Sequence, residues 1–224
     1  MTGEVITSPV LHFQEVMSEQ VASDTARLET FADGVFAIAI TLLILEIRLP
    51  PSEPHGETGL FSILVSLWPS YLGYTVSFIV IGIIWMNHHN FLKLIDHTDH
   101  NFLVLNLLLL MCVAFVPFST RVLAEQLTSG SDRVAATAFY GGSFTLTGVI
   151  FNLLWRYATA RRRLLRPTVS DWIVKAINKR YNPGPFLYLI ATALAFVSVP
   201  LSLALIVGLA ILYLLPYRPP SVEP

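Results

Sequence analysis

A single cysteine, Cys112, stands in 224 residues, so no disulfide forms within the chain and cysteine usage assigns no redox compartment. Charge is equally scarce. Asp, Glu, Lys and Arg make up 13% of the chain against 54% hydrophobic residues, and the mean hydropathy is +0.63. Soluble domains carry about a quarter charged residues, so the composition is that of a polytopic membrane protein. The net charge of −1 names no partner. Also missing are a Walker motif, a Gly-rich nucleotide loop and a Ser-His-Asp arrangement, which removes the common enzyme signatures. The first 26 residues hold no uninterrupted apolar run and read as a polar tail (1–26) rather than a signal peptide.

What the chain does have is long stretches without charge. Thr58 to Leu92 contains no Asp, Glu, Lys or Arg, nor do Asn101 to Thr120 and Val134 to Trp155. Each is long enough to cross a bilayer as a helix. Tyr181 to Tyr217 is uncharged as well. A straight helix of that length would be roughly 55 Å long, nearly twice the hydrocarbon core. Pro200 near its middle and Pro183-Gly184-Pro185 at its start divide it into two short spans, about 184–199 and 201–216. With Phe31 to Ile47, the reading is an all-α protein of six transmembrane helices, the membrane domain running from 27 to 217 and a tail from 218 to 224. A five-span count stays open, because the last hairpin rests on Pro200 and Arg218.

The basic residues give the orientation. With both termini cytoplasmic, the inner segments carry eleven Lys and Arg, among them Arg27, Lys93, Arg156, Arg161 to Arg163, Arg166 and Arg180; the outer ones carry Arg48, Arg121 and Arg133. That positive-inside bias places the chain as a multi-pass protein of the cell membrane. In the inner linker 156–182, "RRRLLR" reads as an anchor for anionic lipid headgroups. "SDWIVKAINKR" reads as an interfacial helix with Trp172, Ile173 and Ile177 toward lipid and Lys175, Lys179 and Arg180 toward water. Basic clusters flank membrane helices routinely, so nucleic acid is not expected as a partner; membrane lipids are. The outer loop "PPSEPHGETG" is acidic and rich in Pro and Gly.

The first apolar stretch is unusual. Asp33 and Glu46 leave twelve uncharged residues between them, roughly 18 Å of helix against a core of about 30 Å. Within it Ile38, Thr41, Leu42 and Leu45 fall at i, i+3, i+4 and i+7, one stripe on one face. Ordinary core or lipid-facing packing explains such a stripe, and Thr30 to Asp33 matches a capping box. Neither explains a span so short between carboxylates. A helix buried in a bundle, with Asp33 facing protein and Glu46 facing water, does.

Arg27-x-x-x-Phe31-Ala32-Asp33-Gly34, followed by "VFAIAITLLILEI", resembles the Arg…Phe-Ser-Asp motif of the transmembrane protein 175 family of potassium channels. Ala32 stands where the family usually has Ser, which removes one hydroxyl from the motif. "GIIWMNHHNF", Gly82 to Phe91, is similar to the family's Trp-x-x-His-His segment. The resemblance implies a homotetramer of six-helix subunits whose pore lies on the symmetry axis and is lined by the first helix. It implies that Ile38, Leu42 and Leu45 form an apolar constriction, with Thr41 contributing to ion selection, so that the function is potassium-permeable cation conduction and potassium ions are the partner. It implies a polar network of Arg27, Asp33, Trp85, His88 and His89. The family lacks the carbonyl filter of ordinary potassium channels, and "YLGYTV" (Tyr71 to Val76) has no pore-helix hairpin before it. An apolar ring gates by dewetting, and field focusing gives Glu46 a place at the outer mouth; its alternative is a surface pair with Arg48.

"NHHNFLKLIDHTDHN" offers His88, His89, Asp96, His97, Asp99 and His100 as metal ligands. Di-iron membrane oxidases need several separated histidine boxes and this chain has one cluster, so a polar inner turn is the reading preferred. No enzyme activity and no cofactor is expected, and no metal beyond the permeating potassium. A secondary transporter is the alternative; such folds are often built from internal repeats, which this chain does not show.

Overall fold

The computed structural model describes residues 9–49, 59–127 and 132–215. These form helices α1 (Pro9–Leu42), α2 (Leu60–Ser66), α3 (Trp68–Leu92), α4 (His100–Gln126), α5 (Arg133–Thr159), α6 (Asp171–Tyr181), α7 (Pro183–Leu194) and α8 (Val199–Leu214). A 3-10 turn, Leu43–Glu46, ends α1. Among the described residues no strand forms. The acidic outer loop, apart from Gly59, and the tail 218–224 with Arg218 lie outside the described residues.

Four helical segments are long and apolar enough to cross a membrane: Thr25–Glu46, Trp68–Leu92, His100–Gln126 and Arg133–Arg162. α7 and α8, at 12 and 16 residues, are shorter than a full span needs at 1.5 Å per residue. The chain breaks over Ala195–Ser198, and Pro200 sits in the first turn of α8, where its missing N–H costs no helical bond. Ser202 in α8 donates to the Ala191 carbonyl of α7 at 2.7 Å, tying the hairpin across the break.

The capping-box reading of Thr30 is corrected. α1 runs unbroken from Pro9, so Thr30 and Asp33 are interior, and the Thr30 hydroxyl donates to the Ala26 carbonyl instead. Residues 9–26 of the segment read as a polar tail are therefore helix.

The core lies where α3, α4 and α5 meet. Phe91 has Phe102, Phe151 and Trp155 around it with ring centroids 5.3–6.3 Å apart. Further out, hydroxyls substitute for ring packing: the Ser77 hydroxyl bonds Thr120 at 2.7 Å and Tyr140 at 2.9 Å, and Ser119 bonds Ser143 at 3.0 Å. Such pairs join helices in a medium where the hydrophobic effect does not. Gly141 lets α7 close on α5, since a Cβ there would lie 2.7 Å from Thr192 Oγ1.

In the inner linker the two leucines turn into the protein while Arg161, Arg163 and Arg166 stay exposed. Leu164 and Leu165 are buried, and Leu165 bridges Ile95 of the α3–α4 loop. Arg162 donates to Asp171 and to the Val169 carbonyl, while Arg161 and Arg162 take left-handed backbone angles (φ 53° and 56°) to turn the chain. α6 also turns its apolar side inward: Ile173 and Ile177 pack against the protein core, Trp172 stays exposed, and Trp155 Nε1 donates to Asn178 Oδ1 at 2.6 Å. Asp99 caps α4 by accepting from the Phe102 N–H at 2.8 Å, and also accepts from the Tyr157 hydroxyl at 2.6 Å.

Desolvation works against the Asp99 charge, but those two hydrogen bonds, with Arg163 nearby, hold its carboxyl below the usual carboxylate value. A lowered folded pKa contributes stability that is complete above the unfolded value, about 3.9, and is lost as pH falls through the folded value. Tyr157→Phe should move Asp99 back up, so the inner loops should loosen at a higher pH. NMR titration of a carboxyl-labelled protein checks this; an unchanged Asp99 midpoint in the variant would refute it.

Candidate functional site

α1 has two unlike faces. Leu28, Ala32, Phe36, Ala39 and Leu43 recur at steps of four and three, and all are buried against α3 and α4. The small Ala32 and Ala39 allow the close approach. The other face carries Arg27, Phe31, Gly34, Ile38, Thr41, Leu42 and Leu45, and all of these are exposed. Ile38 and Leu45 are each 60% exposed and Leu42 is 41%, against 0–1% for Ala32, Phe36, Ala39 and Leu43. The core alternative for Ile38, Leu42 and Leu45 is thereby removed. They form an apolar stripe that the subunit's own fold leaves uncovered. Only 28% of the first span's apolar window is buried, against 39–50% for the other three.

Thr41 is the one hydroxyl within the stripe from Ile38 to Leu45. Its oxygen lies 2.9 Å from the carbonyls of Ala37 and Ile38, to which it donates. The hydroxyl proton is thus used inside the helix, and what Thr41 presents outward is the lone-pair side of its oxygen. Leu45 sits in the 3-10 turn, whose tighter winding shifts it slightly off the ideal α-helical stripe.

Glu46 turns away from Leu45 and toward α4. Its Oε2 lies 3.9 Å from Arg121 Nε, and Arg121 also holds Glu125 at 2.7 Å. The expected alternative partner, Arg48, instead donates to the Leu45 carbonyl at 3.3 Å.

The polar motif divides into three parts. Asp33 Oδ1 accepts from Trp85 Nε1 at 2.8 Å, linking α1 to α3. His89 Nδ1 lies 2.7 Å from Glu29 Oε1, and the His89 ring stacks on Trp85 at 5.9 Å. His88 is fully buried under Phe36, and its Nε2 meets Asn106 Oδ1 of α4 at 2.7 Å. Since the Asn oxygen can only accept, Nε2 carries the proton. Arg27 joins none of these; it lies on the exposed face with Ile38. His88 does not reach Asp33, because its helical position one residue before His89 points it into the bundle.

Glu29, Asn106 and Arg121 are partners that sequence reasoning missed. Asn106 left a signal, an amide among apolar residues well inside the uncharged run from Asn101 to Thr120. Glu29 left a weaker one, four residues before Asp33 on the same helical face. Glu29, Asp33 and His89 place donor atoms within 4.8 Å of one another, close enough for one cation. Each already has an internal partner.

The family model described as endosomal/lysosomal potassium channel TMEM175 matches residues 27–117, which takes in the C-terminal half of α1, all of α2 and α3 and most of α4. A potassium channel of Chamaesiphon minutus is 49% identical over 86% of this chain and 95% of its own length. The chain belongs to the TMEM175 family. A Streptomyces collinus potassium channel of the same kind is 42% identical over 81% of this chain and 87% of its own. The crystal structure of a Chamaesiphon minutus homolog of the lysosomal potassium-selective channel TMEM175 superposes with a TM-score of 0.77 at 46% identity, covering 85% of this chain and 96% of that one. The TMEM175 match begins at Arg27, the residue that opens the motif, and takes in both the stripe of α1 and the Trp85-His88-His89 segment of α3.

Proposed function

We propose that this TMEM175 member is a potassium-permeable cation channel whose pore is lined by α1 of four subunits. The observation that carries the reading is the uncovered stripe of Ile38, Thr41, Leu42 and Leu45 on a helix whose opposite face is fully buried. Four such stripes around an axis would bury one another's apolar edges and enclose a narrow path. Potassium-channel names among relatives covered almost end to end support the same function.

In this arrangement Ile38, Leu42 and Leu45 form apolar rings. A narrow apolar ring excludes water, and with it ions, until it widens. Thr41 supplies four outward-facing oxygens that replace part of a hydration shell. Potassium gives up its water more readily than sodium, so the ring favours potassium moderately. Glu46, held near Arg121, adds to the outer mouth as one member of a charge cluster rather than as a bare carboxylate. Arg27 lies on the same face at the inner end, where α1 of a neighbouring subunit would approach it. Asp33, Trp85, His88 and His89 hold α1 against the bundle at a fixed rotation. α7 and α8 complete the six membrane helices as a hairpin of two short helices, in a cell membrane with both termini cytoplasmic.

A secondary transporter would saturate with substrate and respond to a coupled gradient. Liposomes loaded with potassium and given a valinomycin-independent flux assay separate the two: a channel conducts in proportion to the driving force without saturating. Native mass spectrometry of the same preparation should show four subunits. Monomers alone, or a flux that saturates in the millimolar range or below, would overturn the proposal.

A further inference from the structure

A second feature sits on the flank of α1 that meets α3. Glu29 and Asp33 are one turn apart on α1, at i and i+4, so they share a face. His89 reaches them from the last turn of α3. One donor atom from each residue lies within 4.8 Å of the other two. Two ligands of one zinc ion stand roughly 3–4 Å apart, so small side-chain rotations close the set. Asp96, His97, Asp99 and His100, which follow in the histidine-rich stretch, do not gather in this way among the described residues.

Three observations set this group apart from ordinary surface carboxylates. Both acids lie in the first membrane span, Thr25–Glu46, and among the described residues neither forms an ion pair with a lysine or arginine. Two carboxylates beside a neutral imidazole carry two negative charges, which one dication cancels; a proton on the imidazole cancels only one. His89 Nδ1 lies 2.7 Å from Glu29 Oε1, yet the contact lacks hydrogen-bond geometry, and Nδ1 is buried with no hydrogen-bond partner among the described residues. Two basic atoms held this close without a proton in line call for another cation. Trp85 orients two of the three ligands at once: its Nε1 donates to Asp33 Oδ1 at 2.8 Å, and its ring stacks on His89 at 5.9 Å. Outer groups fix metal ligands in the same manner. The His89 and Glu29 side chains stay 34% and 30% exposed, which gives an ion a way in.

We infer that Glu29, Asp33 and His89 bind one transition-metal dication per subunit, of the zinc type. His89 coordinates as a neutral imidazole through Nδ1, each carboxylate supplies one oxygen, and water takes the fourth position. One imidazole nitrogen with two carboxylate oxygens suits zinc. Magnesium and calcium take larger shells made of oxygen alone, so they bind more weakly here. The ion replaces whatever proton Glu29 and His89 share, and it clips α1 to α3 on the flank beside the exposed stripe. All three ligands come from one subunit, so binding does not depend on that stripe forming a pore.

The full chain, purified in mild detergent and stripped with EDTA, is titrated with zinc chloride by calorimetry and native mass spectrometry. The expected result is one zinc per subunit at micromolar or tighter affinity, undisturbed by millimolar magnesium or calcium. Binding should raise Tm, and EDTA should reverse the rise. Glu29→Gln removes a ligand charge at constant size, and Asp33→Asn does so while keeping the acceptor for Trp85. Each should fold and lose most of the affinity, as should His89→Gln. Trp85→Phe keeps a ring over His89 but loses the N–H to Asp33, and should weaken binding about tenfold. His97→Gln with His100→Gln should leave binding unchanged. Should the ligand variants misfold, cupric ion bound to the native chain still reads the site: pulsed electron paramagnetic resonance should show one coupled imidazole nitrogen. Absence of zinc binding at high micromolar zinc, full binding in both Glu29→Gln and His89→Gln, or bound copper without imidazole coupling would each overturn the assignment.

Discussion

Ile38→Asn is expected to raise unit conductance severalfold and to weaken discrimination against sodium. The side chain is 60% exposed on a face that its own subunit leaves bare. Four copies would place four amides in one ring, and each amide can donate to and accept from water. A ring that was dry when narrow would stay wet, which removes the barrier to every small cation alike. Thr41→Ala makes a contrasting case. It removes four outward-facing oxygens but adds no water-binding group, so selectivity should fall without a comparable gain in current. Its loss to helix stability is small, because the hydroxyl bonds only to Ala37 and Ile38 within its own turn. Ile44→Asn is the control. Ile44 is also exposed, at 52%, but lies six residues from Ile38 and off its stripe. Reversal potentials and unit conductances of the three variants in one bilayer decide the matter. Equal behaviour of Ile38→Asn and Ile44→Asn would mean that the stripe does not line the pore.

The largest expected effect on stability comes from Asn106→Leu. His88 and Asn106 are both at 0% exposure and pair at 2.7 Å. Removing the amide oxygen leaves the His88 N–H buried with no acceptor, a cost on the order of 2–3 kcal/mol. Asp33→Ala should cost less, because its partner Trp85 is 38% exposed in the subunit and its N–H can find water. The variant pair His88→Leu with Asn106→Leu is the test. Replacing both partners by apolar groups removes the orphan, so the double variant should be more stable than the sum of the single losses. Thermal unfolding of the four proteins in one detergent supplies the cycle; additive losses would show that the pair is not coupled and that packing alone sets the cost.

Several features were legible before any coordinates because each is written in local chemistry. Long uncharged runs cannot be solvated as loops and must be buried or membrane-embedded, so Trp68–Leu92, His100–Gln126 and the helix after Arg133 follow from composition. Proline at 200 marks the break before α8 for the same reason, a missing N–H. The α1 stripe was legible because 3.6-residue periodicity puts Ile38, Thr41, Leu42 and Leu45 together whatever surrounds them.

Other features depended on what each element meets in space. The capping box failed because Thr-x-x-Asp stabilises a helix start only where the preceding residues leave the helix, and here the chain stays helical from Pro9. "RRRLLR" reads as a membrane anchor, yet Leu164 and Leu165 find the α3–α4 loop, a partner some seventy residues away whose position no local rule gives. Which imidazole goes inward was also decided there: His88 and His89 are equivalent in sequence, but a 100° step turns one to Asn106 and the other to Glu29. Sequence offered Glu46 only Arg48 as a partner, because Arg121 is brought to it by the packing of α4 on the end of α1. The sequence by itself determined which segments are apolar, where they break and which residues share a face. The tertiary structure decided which face is covered, because burial is a property of neighbours, and it covered Leu28, Ala32, Phe36, Ala39 and Leu43 while leaving Ile38, Leu42 and Leu45 exposed.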